Sequence, residues 1–203
     1  MVKQCLERNG MTSEIVEKRC DSALSLFSSL RQDLDLHKSI DNMIEICFNA
    51  IKAGNKLFFI GNGGSASITQ HLVAEIVTGE YPCEAFSLTA DSAVITSLSN
   101  DYNYDQVFVR QLRSLGKPGD VLLSFSTSGT SKNILNAVEL ANQTGMPTLS
   151  FSGIQKSPLY EISELCLYFK TCSVNRLQEI HLFIGHIVFE MISEKFKNEF
   201  PYG

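Results

Sequence analysis

Hydroxyl side chains crowd into one short stretch of the sequence, which reads Ser-Phe-Ser-Thr-Ser-Gly-Thr-Ser from Ser124 to Ser131. The stretch begins inside an apolar run, Val121–Phe125, which predicts a buried strand. A second apolar run ends in Gly61-Asn62-Gly63-Gly64-Ser65. Such turns, when helix-compatible sequence follows, present backbone N–H groups and hydroxyls to an anion. Two of them in one chain predict a phosphorylated ligand.

Neither turn fits a nucleotide-binding pattern. No Gly-Lys-Ser/Thr closes a P-loop, and Gly61-Asn62-Gly63-Gly64 lacks the third glycine of the dinucleotide fingerprint. The phosphate therefore belongs to a small metabolite in our interpretation. Ser126, Thr127, Ser128 and Ser131 are the strongest individual candidates, because a turn alone does not require so many hydroxyls.

His71 and Glu75 lie four residues apart on the helix that is predicted to follow the first turn. This spacing places both side chains on one helix face, one turn apart. Such a pair can share a divalent metal, or the histidine can orient a carboxylate base. Taken alone, the same spacing is also typical of a surface pair.

The C-terminal helix carries several polar residues within an otherwise apolar run. They are Gln178, Glu179, His181, His186 and Glu190. Glu179, His186 and Glu190 share a stripe, whereas Gln178 lies to one side of His186 by roughly 80°. Helical spacing does not select a ligand among them, and a mixed polar edge on a packed helix is the alternative.

Asn100-Asp101-Tyr102 lies between two predicted helices. Asn and Asp favour N-caps and turns, so a purely structural role is one interpretation. Contact between Asp101 and sugar hydroxyls is the other.

The elements that must position these residues alternate along the chain. Residues from about Thr12 to Ala53 predict two helices, which Gly54-Asn55 ends. The strand candidates are Lys56–Gly61, Ala85–Leu88, Val121–Phe125, Pro147–Phe151 and Leu165–Phe169. The helix candidates are Ser67–Val77, Ser92–Ser99, Asp105–Leu115, Ser131–Thr144 and Arg176–Lys197. Alternation of this kind predicts an α/β fold with a parallel sheet between helices, whose ligands bind beyond the carboxyl ends of the strands.

Composition predicts one domain over residues 1–203, with helices in 1–54 and the α/β part in 55–203. A net charge of −5 disfavours nucleic acid as the main partner. The six cysteines show no C-x-x-C spacing, so we expect buried free thiols in a reducing compartment. The first residues contain no apolar core of signal-peptide length, and no window approaches a membrane span. We therefore expect a cytoplasmic protein without a membrane partner.

Five segments together resemble the sugar isomerase (SIS) fold, and specifically the phosphoheptose isomerases. They are Gly61–Ser65, His71–Glu75, Asn100–Tyr102, Ser126–Gly129 with Ser131, and Arg176–His181 followed by His186. They span residues 61 to 186 in the order of the family. The resemblance implies a three-layer sandwich with a five-stranded parallel sheet, and a homotetramer that uses the N-terminal helices and shares active sites between subunits.

The resemblance also implies an activity, namely conversion of sedoheptulose 7-phosphate into D-glycero-D-manno-heptose 7-phosphate for bacterial surface heptose. By similarity, His71, Glu75, Gln178 and His186 would hold zinc. The phosphate would bind Ser65, Ser126, Thr127, Ser128 and Ser131. The sugar site would include Asn62, Gly63, Gly64, Glu75, Asn100, Asp101 and Gln178. Glu75 would be the base and His186 the acid of an enediol mechanism, in which a metal polarises the carbonyl.

Two departures from the family concern the sugar. Asn175 replaces the usual Asp and cannot carry charge, and the segment 76–84 is shorter than usual and has no basic residue. An isomerase for another sugar phosphate is therefore one alternative. A non-catalytic SIS protein, such as the bacterial replication-initiator-associating protein, is another. That protein typically lacks the histidines and glutamate that this chain keeps at His71, Glu75 and His186.

Overall fold

The structure is a computed structural model that describes residues 2–169 and 173–199, and side chains from residue 12 onward in these ranges. It divides the chain into two compact units, one ending at Lys38 and the other beginning at Ser39. The eight α-helices of the described ranges, α1 to α8, are Val2–Gln32, Leu34–Lys52, Gly64–Thr78, Ser92–Asp101, Val107–Leu115, Lys132–Gln143, Pro158–Ile162 and Val174–Glu199. The five strands there, β1 to β5, are Leu57–Gly61, Ala85–Ser87, Val121–Ser126, Thr148–Ser152 and Leu165–Tyr168.

The five strands form one parallel sheet in the order β2-β1-β3-β4-β5. After β1 the chain continues to β2 on one side, and β3 then returns to the other side of β1. This reversal places a topological switch point between the carboxyl ends of β1 and β3, where ligands bind in sheets of this type. The two strands are in register there, with Gly61 opposite Phe125.

The sheet is buried on both faces, which explains why its strands are almost continuously apolar. On one face, Phe58, Ile60 and Leu122 belong to a core that includes residues of α5 and α6. On the other face, Phe59 contacts Phe189 of α8. The α/β three-layer prediction with a five-stranded parallel sheet is confirmed.

Most predicted elements agree with the structure to within a few residues. The predicted helix Asp105–Leu115 is in fact a short 3-10 helix, Tyr104–Gln106, followed by α5. Helix α7 was not predicted, because five residues are too few for a periodic apolar pattern. The N-cap interpretation of Asn100-Asp101-Tyr102 is wrong, since these residues end α4 and Asp91 caps its start.

Four cysteines lie in the part of the chain whose side chains are described, and all four are free. Cys47 is buried, but Cys20 is exposed, so the expectation of burial is wrong there. Burial raises the pKa of the Cys83 thiol to about 11 and that of Cys166 to about 12. Cys5 and Cys172 are not among the described side chains. In the described ranges, no helix combines the length and apolar character needed to cross a membrane.

Candidate active site

The two predicted anion-binding turns meet at the switch point. One turn joins β1 to α3 and the other joins β3 to α6, and β1 and β3 are adjacent strands. Both turns therefore lie at the same edge of the sheet. We call residues 61–65 and 126–131 together the turn region.

Internal hydrogen bonds shape the turn between β3 and α6. The Ser126 hydroxyl is buried and accepts a hydrogen bond from the Gly129 N–H at 3.1 Å. Ser128 is exposed, and its hydroxyl accepts from the Thr130 N–H at 3.3 Å. Ser131 precedes α6 without capping it through its side chain. The Ser131 hydroxyl is consequently not used by the helix and can contact a ligand, as the exposed Ser128 can.

Glycines give the turn between β1 and α3 its shape. Gly63 has a φ of +55°, a conformation that side chains other than glycine rarely adopt. Gly64 lies against the Gln178 side chain, whose amide carbon would be 2.8 Å from a Cβ at this position. Gln178 of α8 is therefore next to the turn region. Ser65, which is 3% exposed, follows at the start of α3.

Asn100 and Asp101 lie in the exposed last turn of α4. The Asn100 amide donates to the Asp101 carboxylate at 2.9 Å. The segment that follows reaches the turn region, because the Tyr104 hydroxyl donates to the Asn62 side-chain oxygen at 2.9 Å.

Three other predicted residues form a separate group, the histidine–glutamate cluster of His71, Glu75 and His186. The two histidine Nε2 atoms are 3.1 Å apart. Glu75 Oε1 is 3.2 Å from His71 Nε2, and Glu75 Oε2 is 3.3 Å from His186 Nε2. The packing of α8 against α3 brings His186 to the pair that helix spacing had already placed on one face. About half of the Glu75 side chain is exposed, so the carboxylate is accessible.

The donor atoms of this cluster fit a zinc ion. One ligand atom from each residue can be chosen so that all lie within 4.8 Å of one another. Tetrahedral zinc with ligand bonds of about 2.0–2.1 Å separates its ligand atoms by about 3.3 Å, close to the distances observed here. Two imidazoles and one carboxylate are also a typical catalytic set, which leaves a fourth position open.

Gln178 is not next to this cluster along the helix. It precedes His186 by eight residues, a rise of about 12 Å in an α-helix. The predicted zinc set is thus distributed over two places, with three members in the cluster and Gln178 beside the turn region.

A cavity of about 600 Å³ opens beside the cluster. Glu75 and His186 contribute to its wall, together with the acidic side chains of Glu80, Glu190 and Glu194. The cavity therefore gives a small polar molecule access to the Glu75 carboxylate.

His181 is not part of a polar edge on α8, as one interpretation of the sequence had it. It is fully buried among Phe125, Phe151 and Phe169, and neither ring nitrogen has a hydrogen-bond partner in the described part of the chain. Burial lowers the pKa of His181 from 6.5 to about 4. The ring is neutral at physiological pH and takes no part in the cluster.

Sequence patterns did not identify Tyr104 and Asn133, which both contact Asn62. Asn133 is 2% exposed and follows the hydroxyl-rich stretch by two residues. A buried Asn requires a hydrogen-bond partner, so an Asn in this position indicates that one exists. The partner, Asn62, lies 71 residues earlier, and only the fold identifies it.

The fold and the site place the protein in a known class. The family model described as the SIS domain matches residues 20–153. The structure also resembles that of a phosphoheptose isomerase from Neisseria gonorrhoeae, with a TM-score of 0.86 and 28% sequence identity. This likeness covers 90% of this chain and 99% of that chain.

Sequence relatives are similar to this chain over most of their length. A phosphoheptose isomerase from Akkermansia muciniphila is 42% identical over 161 residues, which cover 77% of this chain and 85% of that protein. A phosphoheptose isomerase from Helicobacter pylori is 34% identical over 195 residues, which cover 93% of this chain and 100% of that protein. The chain therefore belongs to the SIS domain family and, within it, to the phosphoheptose isomerases.

Proposed function

We propose that this protein converts sedoheptulose 7-phosphate into D-glycero-D-manno-heptose 7-phosphate, an aldose–ketose isomerisation that supplies heptose for the bacterial surface. The observation that carries the proposal is the Glu75 carboxylate, which is accessible from a cavity and lies within 3.3 Å of two imidazoles. The names of the relatives support a phosphoheptose as the substrate class.

The reaction moves a carbonyl from C2 to C1 of the sugar. One proton leaves C1 and another is delivered to C2 through an enediol, while a hydroxyl proton passes from O1 to O2. Glu75 is the base that removes the C1 proton, since a positioned carboxylate can take a proton from a carbon acid. His186 is the acid, because an imidazole can donate near neutral pH.

Zinc is the proposed cofactor, held by His71, Glu75 and His186. When bound, it would polarise the substrate carbonyl as a Lewis acid. The donor types and their separations of 3.1–3.3 Å support this assignment. Of the two roles predicted for Gln178, its place beside Gly64 supports substrate binding rather than zinc ligation.

The turn region binds the phosphate and sugar in this proposal. The phosphate ligands are Ser65, Ser126, Thr127, Ser128 and Ser131. The sugar contacts are Asn62, Gly63, Gly64, Asn100, Asp101 and Gln178. The free hydroxyl of Ser131 and the exposed position of Ser128 support this assignment.

A homotetramer with shared active sites explains the separation of the two regions. Ser65 and Glu75 are ten residues apart on α3, a rise of about 15 Å. A turn region of one subunit facing the cluster of another would shorten that gap.

Exposed apolar side chains on α3 and α8 also support an assembly. Val77, Phe183 and Met191 are 41–48% exposed, and a subunit interface would bury them. We further propose a cytoplasmic location, where phosphorylated sugars are made and used, with the N-terminal helices in the subunit interface.

The alternatives differ in what they require of the cluster. A non-catalytic phosphosugar-binding protein has no need of His71, Glu75 and His186 in contact distance, so their juxtaposition favours an enzyme. An isomerase for another sugar phosphate would keep the cluster and differ in the sugar contacts. The connection from α3 to β2 consists of only the six residues 79–84. This short segment is one of the departures from the family that concern the sugar, so the second candidate is tested as well.

The test is an assay of the purified protein with sedoheptulose 7-phosphate, with fructose 6-phosphate as the shorter control. Aldose phosphate formation is followed with added zinc and after chelation. We expect turnover of the seven-carbon substrate that chelation abolishes and zinc restores. No turnover by folded, zinc-loaded protein would contradict the proposal, and preference for the six-carbon sugar would favour the second candidate.

A further inference from the structure

Two asparagine side chains join the two turns by a reciprocal pair of hydrogen bonds. The Asn62 amide donates to the Asn133 side-chain oxygen at 3.0 Å, and the Asn133 amide donates to the Asn62 oxygen at 2.9 Å. Asn62 follows β1 directly, and Asn133 lies in the first turn of α6, which follows the β3 turn. The pair thus spans the switch point.

A contact with the backbone determines which side-chain amide atom of each asparagine is the oxygen and which is the nitrogen. The Ile134 N–H, which can only donate, is shared between the Ser131 carbonyl and Asn133 Oδ1, each at 3.0 Å. An NH₂ group in place of that oxygen would face the N–H donor to donor. The oxygen of Asn133 must therefore lie on that side, and its NH₂ group must face Asn62. The Asn62 oxygen then accepts from Asn133 and must also accept from the Tyr104 hydroxyl, which becomes a donor. One backbone N–H thus determines the orientation of three side chains.

Burial makes the arrangement costly to disturb. Asn133 is 2% exposed, so an amide that lost its partner there would be buried without a hydrogen bond. Tyr104 is 49% exposed, and its ring is not part of the buried core. Its hydroxyl can therefore be removed with little effect on folding.

We propose that Tyr104 and Asn133 are positioning residues, which hold the two turns in register and orient the Asn62 amide toward the substrate. The inference rests on the proposed function only in assigning the phosphosugar to this site.

The network also restricts what Asn62 can offer a ligand. Both acceptor positions on its side-chain oxygen are used, by Tyr104 and Asn133. One hydrogen of its NH₂ group is used by Asn133, and the other has no partner among the described residues. Asn62 therefore presents a single N–H, which selects a hydrogen-bond acceptor such as a phosphate, carbonyl or hydroxyl oxygen.

The test compares Tyr104→Phe with Tyr102→Phe. Tyr102 is a matched control because it is 51% exposed and two residues away, and its ring stacks on Arg110 rather than contacting Asn62. Asn133→Ala is compared in the same way with Asn142→Ala, since Asn142 lies at the other end of the same helix and bonds the Ile162 carbonyl instead. The readouts are the Kd for inorganic phosphate by calorimetry, the KM and kcat for sedoheptulose 7-phosphate, and the Tm.

We expect Tyr104→Phe to raise the phosphate Kd and the substrate KM about two- to tenfold at unchanged Tm, as for one lost hydrogen bond. Asn133→Ala should raise both about tenfold or more, and Tyr104→Phe should add little to it because both act through Asn62. Unchanged constants in Tyr104→Phe, or effects equal to those of the controls, would overturn the inference. Full additivity in the double variant would do the same.

The phosphate measurement separates this inference from the proposed function. If the wild-type protein does not turn over sedoheptulose 7-phosphate but the phosphate Kd responds as expected, the proposed substrate is wrong and the positioning role stands. If turnover is normal and the Tyr104→Phe constants match wild type, the proposed function stands and the positioning role fails.

Discussion

The turn region and the histidine–glutamate cluster are organised in different ways. In the turn region and directly after it, buried groups such as Ser126 and Asn133 are bonded to the chain itself, by the Gly129 N–H and the Ile134 N–H. In the cluster, the three side chains are a third to a half exposed, and their contacts are with one another. The fold therefore holds the turn region in place, whereas the arrangement of the cluster rests on contacts among its own three side chains.

This difference suggests a division of work between the two regions. A preorganised anion site can bind phosphate without other help, because its N–H groups and hydroxyls are already oriented. In the proposed mechanism, the exposed Glu75 carboxylate between two imidazoles moves protons when the substrate and zinc are bound. We therefore expect changes in the turn region to alter binding, and changes in the cluster to alter turnover.

The largest expected effect is that of Glu75→Gln, which removes the proposed base and keeps the shape of the side chain. We expect kcat to fall by about 10²–10⁴-fold or more, with the phosphate Kd unchanged. Glu80→Gln is the control, since Glu80 lines the same cavity outside the cluster. Near-normal kcat in Glu75→Gln would remove Glu75 as the base.

The next largest effect is expected for the double variant Ser126→Ala with Ser128→Ala, which removes two proposed phosphate ligands from the turn region. Each hydrogen bond lost to a charged phosphate costs about 1.5–3 kcal/mol, so the substrate KM should rise about a hundredfold or more. Part of the Ser126 effect comes from the turn, because its hydroxyl accepts from Gly129. Ser124→Ala is the control, since that hydroxyl is buried in the same strand and pairs with Ser150. An unchanged KM would mean that the phosphate binds elsewhere.

A smaller effect concerns α8, the helix that carries both Gln178 and His186. His181 has a pKa of about 4 in the folded protein and an ordinary value of 6.5 when unfolded. Between these values the unfolded chain binds a proton that the folded protein does not. The free energy of unfolding should therefore fall as the pH falls from 6.5 to 4, by about 3 kcal/mol from this residue.

Urea unfolding of wild type and His181→Leu at several pH values measures this contribution. Other titrating groups act on both proteins, so the difference isolates His181. The variant should lose less stability on acidification. Parallel pH profiles would show that His181 is not the group responsible.

Local patterns predicted the parts of the site that are local in the chain. The glycine- and hydroxyl-rich turns follow apolar strands, and His71 and Glu75 share a face by spacing alone. His186 is 115 residues from His71, and its choice over Glu179, His181 and Glu190 depends on how α8 is rotated against α3. The spacing of polar residues on one helix contains no information about that rotation, so only the family resemblance pointed to His186.

The same reasoning explains what sequence patterns missed around Asn62. Asn133 and Tyr104 reach it through tertiary contacts that cross the sheet edge, and neither residue type is distinctive on its own. Helix α7, with five residues, is below the length at which periodicity is informative.

The central claim is that the turn region binds phosphate without the metal, while the cluster needs it for turnover. We would measure the Kd for inorganic phosphate and the rate with sedoheptulose 7-phosphate, each in chelated and in zinc-loaded protein. We expect equal phosphate affinity in both forms and turnover only in the zinc-loaded form. A phosphate Kd that rises tenfold on chelation, or full turnover without metal, would contradict the account.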